Sequence, residues 1–167
     1  MAKVFISYSS EDKTIVEHLV QDLDTGNLEI WFDERLGGNG GQPWWNKILS
    51  EIRNCDIFVA VLSPNSLDSQ ACKAELKYAF ELQKPLLPVR VSEKVQPKFL
   101  PLGLGERQLV DYLRQDRGEG WKLRRSVSDL PKALPLPDPL PEPPPVPGSY
   151  RELIELIESE SRRWCAL

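Results

Sequence analysis

One acidic side chain is the strongest candidate for chemistry in this sequence. Glu75 stands in CDIFVAVLSPNSLDSQACKAELKYAFELQK, residues 55–84. Residues 57–62 form a near-continuous apolar run of strand length, and a strand apolar on both faces belongs inside a parallel sheet covered above and below by helices. Ser63-Pro64-Asn65 ends the run, and Ser69 has the type and place of a helix N-cap. At 100° per residue, Cys72, Leu76, Ala79 and Phe80 then share one stripe, with Lys73, Lys77 and Glu81 opposite. Glu75 flanks the stripe beside Ala71, Tyr78 and Leu82. A helix leaving the carboxyl end of a buried strand begins where open α/β sheets place their ligand crevice. A glutamate there has two readings. It is a boundary residue paired with a nearby lysine or arginine, or it is a carboxylate aimed at a ligand; position alone favours the first, because such glutamates are common.

Other side chains converge on the same edge once the remaining elements are laid out. KVFISY, residues 3–8, is a first strand, and SSED, residues 9–12, has the spacing of a capping box for a helix whose stripe is Ile15, Val16, Leu19, Val20 and Leu23. LEIWF, residues 28–32, is a second strand. DERLGGNGGQP follows it, a loop with four glycines, ahead of a helix beginning near Pro43 with Trp44, Ile48 and Ile52 on its apolar side. PLLPVRV, residues 85–91, is a fourth strand in which Pro88 suggests a bulge or an outer position. Residues 92–105 should be mostly irregular, 107–112 a fifth strand, and Trp121, Leu123, Val127 and Leu130 a fifth helix. This alternation implies a doubly wound parallel sheet wrapped on both faces; in a five-stranded sheet of flavodoxin-like order 2-1-3-4-5, the crevice opens between strands 1 and 3. The turn after strand 1, the loop after strand 2 and the segment after strand 3 all rim that opening.

Each rim residue has a plain structural reading beside a functional one. Capping explains Ser9 without a ligand, and a loop arginine such as Arg35 is solvated more often than it binds pyrophosphate. Of Trp44 and Trp45, at least one belongs to the core, beside Ile48 and Leu49. Cys72 shares its side of the helix with Glu75 and reads as a small buried thiol, while His18 lies mid-helix at an outward position.

The totals narrow the function classes. The chain has 167 residues, 41% of them hydrophobic, and a formal charge of −4 with no basic run, so a nucleic-acid footprint is not indicated. No apolar run reaches the roughly 20 residues that span a bilayer, and MAKVFISYSSED turns polar too early for a signal peptide, which points to a cytoplasmic protein. Three cysteines without CxxC spacing argue against a disulfide framework or a structural zinc site. The expected organisation is a domain over 1–130, a proline-rich linker over 131–148 and an amphipathic helix over 149–167, opened by a capping box at Ser149 and Glu152. Nine of residues 131–147 are proline, which favours a stiff polyproline II spacer over a docking site for SH3-like or WW-like modules.

Taken together, ISYSSED, WFDERL with its glycine-rich loop and tryptophan, CDIFVAVLSPNSLDSQACKAEL and KPLLPV resemble the TIR domain (Toll/interleukin-1 receptor domain), particularly its bacterial branch, over about residues 1–130. The resemblance implies the flavodoxin-like fold, homotypic association with other TIR domains, and cleavage of the nicotinamide–ribose bond of NAD+, giving nicotinamide and ADP-ribose or a cyclic ADP-ribose, in a setting such as bacterial immunity. It makes Glu75 the catalytic residue and groups Tyr8, Ser9, Ser10, Asp33, Arg35, Leu36, Trp44, Trp45, Ala71 and Cys72 around the substrate, with NAD+ consumed rather than held as a cofactor and no metal. Ala71 departs from the family pattern, which frequently has a tryptophan there. The alternative is a non-catalytic TIR–TIR interaction module. A phosphoacceptor receiver of the same topology is disfavoured, because Ser63 stands where a receiver needs an aspartate, and Walker A spacing is absent.

Overall fold

β-branched and aromatic residues suit a pleated, buried surface, and the five runs rich in them become the strands. The computed structural model of the chain describes residues 1–32, 41–106 and 108–147. In chain order they form β1 (Ala2–Ser7), α1 (Lys13–Leu23), β2 (Leu28–Phe32), α2 (Gly41–Asn54), β3 (Ile57–Leu62), α3 (Pro64–Asp68), α4 (Gln70–Glu81), β4 (Leu86–Arg90), β5 (Val110–Asp111) and α5 (Arg117–Asp129). The sheet order is β2-β1-β3-β4-β5 and every pairing is parallel. This is the doubly wound order expected.

Strand alternation divides the core into two layers. Val4 and Ile6 of β1 and Val59 and Val61 of β3 pack with Val16, Leu19 and Leu23 of α1 and Leu123 and Val127 of α5. Phe5, Phe58, Ala60 and Leu62 face the other way, against Trp45, Ile48 and Ile52 of α2 and Leu76, Tyr78 and Ala79 of α4. The two helices of this second layer are also tied by polar contacts. Arg53 donates to the Tyr78 hydroxyl at 3.1 Å, and the buried Lys84 ammonium donates to the carbonyls of Arg53 and Cys55 at the end of α2. Cations suit helix carboxyl ends because the last carbonyls are unsatisfied there.

Several local expectations are corrected. Ser9 and Asp12 do not form a capping box: Ser9 makes no side-chain cap to the 3₁₀ turn Ser10–Asp12, and the Asp12 carboxylate is spent on Ser63 instead. The stop after β3 is a one-turn helix, α3, capped reciprocally by Ser63 and Ser66. Pro88 sits in a strand with neighbours on both sides, but it needs no bulge. Val91 donates to Leu62 of β3, so alternation turns the amide positions of residues 88 and 90 toward β5, and β5 begins pairing only at Val89. The donor that proline lacks thus falls on an unpaired stretch. The buried face of α4 is wider than the expected stripe: it includes Glu75 and Tyr78, whereas Phe80 is 40% exposed. The fifth strand is two residues long, not six.

Residues 131–147 contain no helix or strand. They return to the domain: the Trp45 indole N–H donates to the Pro144 carbonyl at 2.8 Å, and Val146 packs against the α2/α4 layer. The terminal helix expected over 149–167 lies outside the described residues.

Candidate active site

Period-two geometry decides what stands beside Glu75. Phe5 faces α2 and α4, so Ser7 at the end of β1 faces them too, while Tyr8 turns with Val4 and Ile6 toward α1. Ser69 caps α4 by accepting the Cys72 amide at 3.2 Å, and this fixes the rotation of the helix over the sheet. Glu75 and Ser7 then meet: the Ser7 hydroxyl donates to Glu75 Oε1 at 2.9 Å, with the two residues 6% and 4% exposed. The pair lies where β1 and β3 are adjacent and their following helices depart to opposite layers, which is the switch point of this topology.

A second buried polar group stands at the same edge. The Ser63 hydroxyl donates to the Asp12 carboxylate and accepts the Ser66 amide at 3.0 Å, and all three residues are buried. A cavity of about 290 Å³ opens nearby, lined by Ser7, Ser66, Cys72, Leu76 and Phe99 among others; Glu75 is not in its lining and reaches its edge through Ser7 and Cys72. Larger hollows of about 490 and 570 Å³ lie at the amino edge of the sheet and beside β5, but the charged residues lining them are half-buried or exposed. Volume alone does not select a site, and the buried acid with its hydroxyl partner does.

The electrostatics agree with a dry setting. Burial, reinforced by the Glu75 charge, pushes the Cys72 thiol up to about 12, against hydrogen bonds from Ser69 and Ser7. Burial likewise raises Cys55 to about 12, with Lys84 opposing. Neither is a nucleophile near neutral pH, since reactivity follows the thiolate. The sign of the linkage is definite: a thiol whose folded pKa exceeds its unfolded one keeps the folded state protonated while the unfolded state ionises. Stability therefore falls as pH rises from 9.0 toward about 12. At pH 8, iodoacetamide should modify neither Cys55 nor Cys72 in the native chain and all three cysteines in urea; mass spectrometry reads the count.

The sequence-derived site residues divide. Glu75 and Cys72 are adjacent and buried, with Ala71 half-buried one turn away. Tyr8 is 3% exposed, its ring 6.2 Å from Phe32 on the opposite layer from Glu75. Ser9 is half-buried and Ser10 exposed. Trp45 is core, fully buried with its indole N–H on Pro144, and presents no open face; Trp44 is half-buried, its ring 6.1 Å from that of Trp45. Asp33, Arg35 and Leu36 lie outside the described residues. Sequence reasoning passed over Ser7, and the alternation Phe5–Ser7 was the signal that could have found it. It also passed over Asp12, Ser63 and Ser66 as a buried cluster, because Asp12 is 51 residues from Ser63 in the chain. Among the described residues no group of three or more His, Cys, Asp or Glu side chains could hold a metal ion, and no helix is long and apolar enough to cross a membrane.

A five-stranded parallel α/β domain with a buried carboxylate at its switch point is thus the class of protein that fold and site define. The chain belongs to the TIR domain family, whose profile matches residues 4–125. It is 28% identical over 116 residues to a probable 2′ cyclic ADP-D-ribose synthase, BdTIR, of Brachypodium distachyon. That match covers 68% of this chain and 50% of the plant protein, so the chain spans about half the length of this relative. Among solved structures it resembles the TIR domain of the Toll-related receptor TRR-2 of Hydra magnipapillata, with TM-score 0.57 and 20% identity. It also resembles the CMP N-glycosidase BcmB of Clostridium botulinum, with TM-score 0.52 and 19% identity. Each of these two alignments covers 75% of this chain and 98% of the other. At such identities they speak for the fold.

Proposed function

We propose that this chain is an NAD+ nucleosidase that cleaves the nicotinamide–ribose bond, with Glu75 as its catalytic residue and NAD+ as substrate rather than cofactor. The observation that carries the reading is a buried carboxylate at the switch point, hydrogen-bonded by Ser7, which itself lines a cavity. The similarity to a probable cyclic ADP-ribose synthase supports the substrate class.

The chemistry asks little of the protein. Nicotinamide is cationic while bound to ribose and departs neutral, taking the electron pair of the C1′–N bond, so no general acid is needed of the kind that an alkoxide leaving group requires. The carboxylate, close to the ribose, stabilises the positive charge that develops on the sugar, and low-dielectric surroundings strengthen that attraction. Water adding to C1′ and losing a proton gives ADP-ribose; a hydroxyl of the same molecule adding instead gives a cyclic product. A cavity of about 290 Å³ is at the lower end of ligand pockets, roughly 300–1,000 Å³. It accommodates part of a dinucleotide, so the rest of the substrate lies over neighbouring segments or against a second copy. Self-association through TIR surfaces then completes the site.

Ser7 is a positioning residue in this scheme. Ser7→Ala should lower turnover about tenfold, the value of roughly one hydrogen bond to a charged group, with KM little changed. Ser7→Thr, which restores the hydroxyl in a residue favoured in strands, should recover most of it; steady-state kinetics beside a thermal melt checks both.

The reading is tested by incubating purified protein with NAD+, dilute and clustered on a surface, beside Glu75→Ala. Nicotinamide release that the variant lacks supports it. Release in neither state would leave the TIR–TIR interaction module.

A further inference from the structure

We propose that the amino-terminal turn of α2 is a polyproline-recognition site which the domain fills with its own residues 143–147, making the proline-rich segment an intramolecular latch. The inference stands apart from the enzymatic reading. Leu130, Pro131, Lys132 and Ala133 line the amino-edge hollow with Ala2, Leu28 and Ile57, near the starts of β1, β2 and β3. Pro144 and Val146, by contrast, sit on α2 at Trp45 and its layer. α2 follows β2, so its first turn lies at the carboxyl edge, and the segment runs from one edge of the sheet to the other. It thereby ties the α1/α5 layer to the α2/α4 layer.

The contact has the chemistry of polyproline recognition. A polyproline II segment makes no internal hydrogen bonds, so its carbonyls are available to outside donors, and its shape is set before docking. Aromatic-lined grooves exploit this. Here Trp45 is fully buried, its indole is a donor only, and the Pro144 carbonyl receives it at 2.8 Å. Val146 adds apolar contact, and Pro147 is buried. The proline-rich segment thus has a partner in the domain that precedes it.

The test uses the full chain labelled with ¹⁵N. Five tryptophans give five indole signals, and the one lost in Trp45→Phe belongs to Trp45. Replacing the stiff run by Pro143→Gly, Pro144→Gly and Pro145→Gly keeps the carbonyls but removes the preset shape. Trp45 indole exchange with deuterium should then speed up at least tenfold and its signal shift, while β1 and β3 amides stay protected. Val146→Ser, a milder change, should move the same signal in the same direction. An unchanged Trp45 signal in both variants overturns the latch. So does equal loss of protection across β1 and β3 in both, which would make the segment a constituent of the core.

Discussion

Glu75→Gln is expected to lower nicotinamide release from NAD+ by at least about 100-fold, the loss typical of removing one preorganised electrostatic contact to a transition state. The change preserves volume and can still accept from Ser7, so the fold should survive with little change in melting temperature. Only the negative charge is gone, and the charge is what answers the developing cation on the ribose. KM should change little, because the interaction lost is one made in the transition state. A comparable drop in stability would show instead that Glu75 is structural; a variant as active as the parent would remove it from the chemistry.

Phe58→Ala is expected to be the most damaging of the core truncations, costing roughly 3–5 kcal/mol. Phe58 is fully buried at the centre of the sheet, its ring stacked on Phe5 at 5.3 Å, which stacks in turn on Trp31 at 5.0 Å. Its neighbours belong to strands pinned on both sides, so the space cannot collapse, and the void persists beside α2 and α4. Melting temperature should fall by about 10 °C or more for a domain of this size. Urea titration reads the same loss as a lower midpoint with an unchanged slope. A loss below about 1 kcal/mol would contradict the close packing of this layer.

The contrast between these two residues shows what can be read from a sequence. Phe58 lies in a strand whose burial follows from six consecutive apolar residues, and the parallel sheet followed from regular alternation of strands and helices, with its order supplied by the flavodoxin-like fold. Glu75 could be placed at a strand's carboxyl end but not given a partner, since Ser7 is 68 residues away and hydrogen bonding across such a distance leaves no local pattern. The same holds for Asp12 and Ser63, which are 51 apart. Asp12 looked like half of a capping box because the local motif and the long-range contact compete for one carboxylate, and the buried serine won. Pro88 and Trp45 are a different case. Each obeys its local rule, but what accommodates it lies elsewhere: β5 has not begun to pair with β4 at Pro88, and the Pro144 carbonyl receives the Trp45 indole. The proline-rich segment resembled a spacer because composition reports stiffness and says nothing about what the stiff chain touches.

A time course of free nicotinamide from NAD+, measured chromatographically on this chain when clustered, tests most directly whether the buried carboxylate at the switch point breaks a glycosidic bond. Many equivalents of nicotinamide per protein molecule, with ADP-ribose or a cyclic ADP-ribose rising in step, is the predicted result. No nicotinamide above the protein-free control, dilute or clustered, would contradict it.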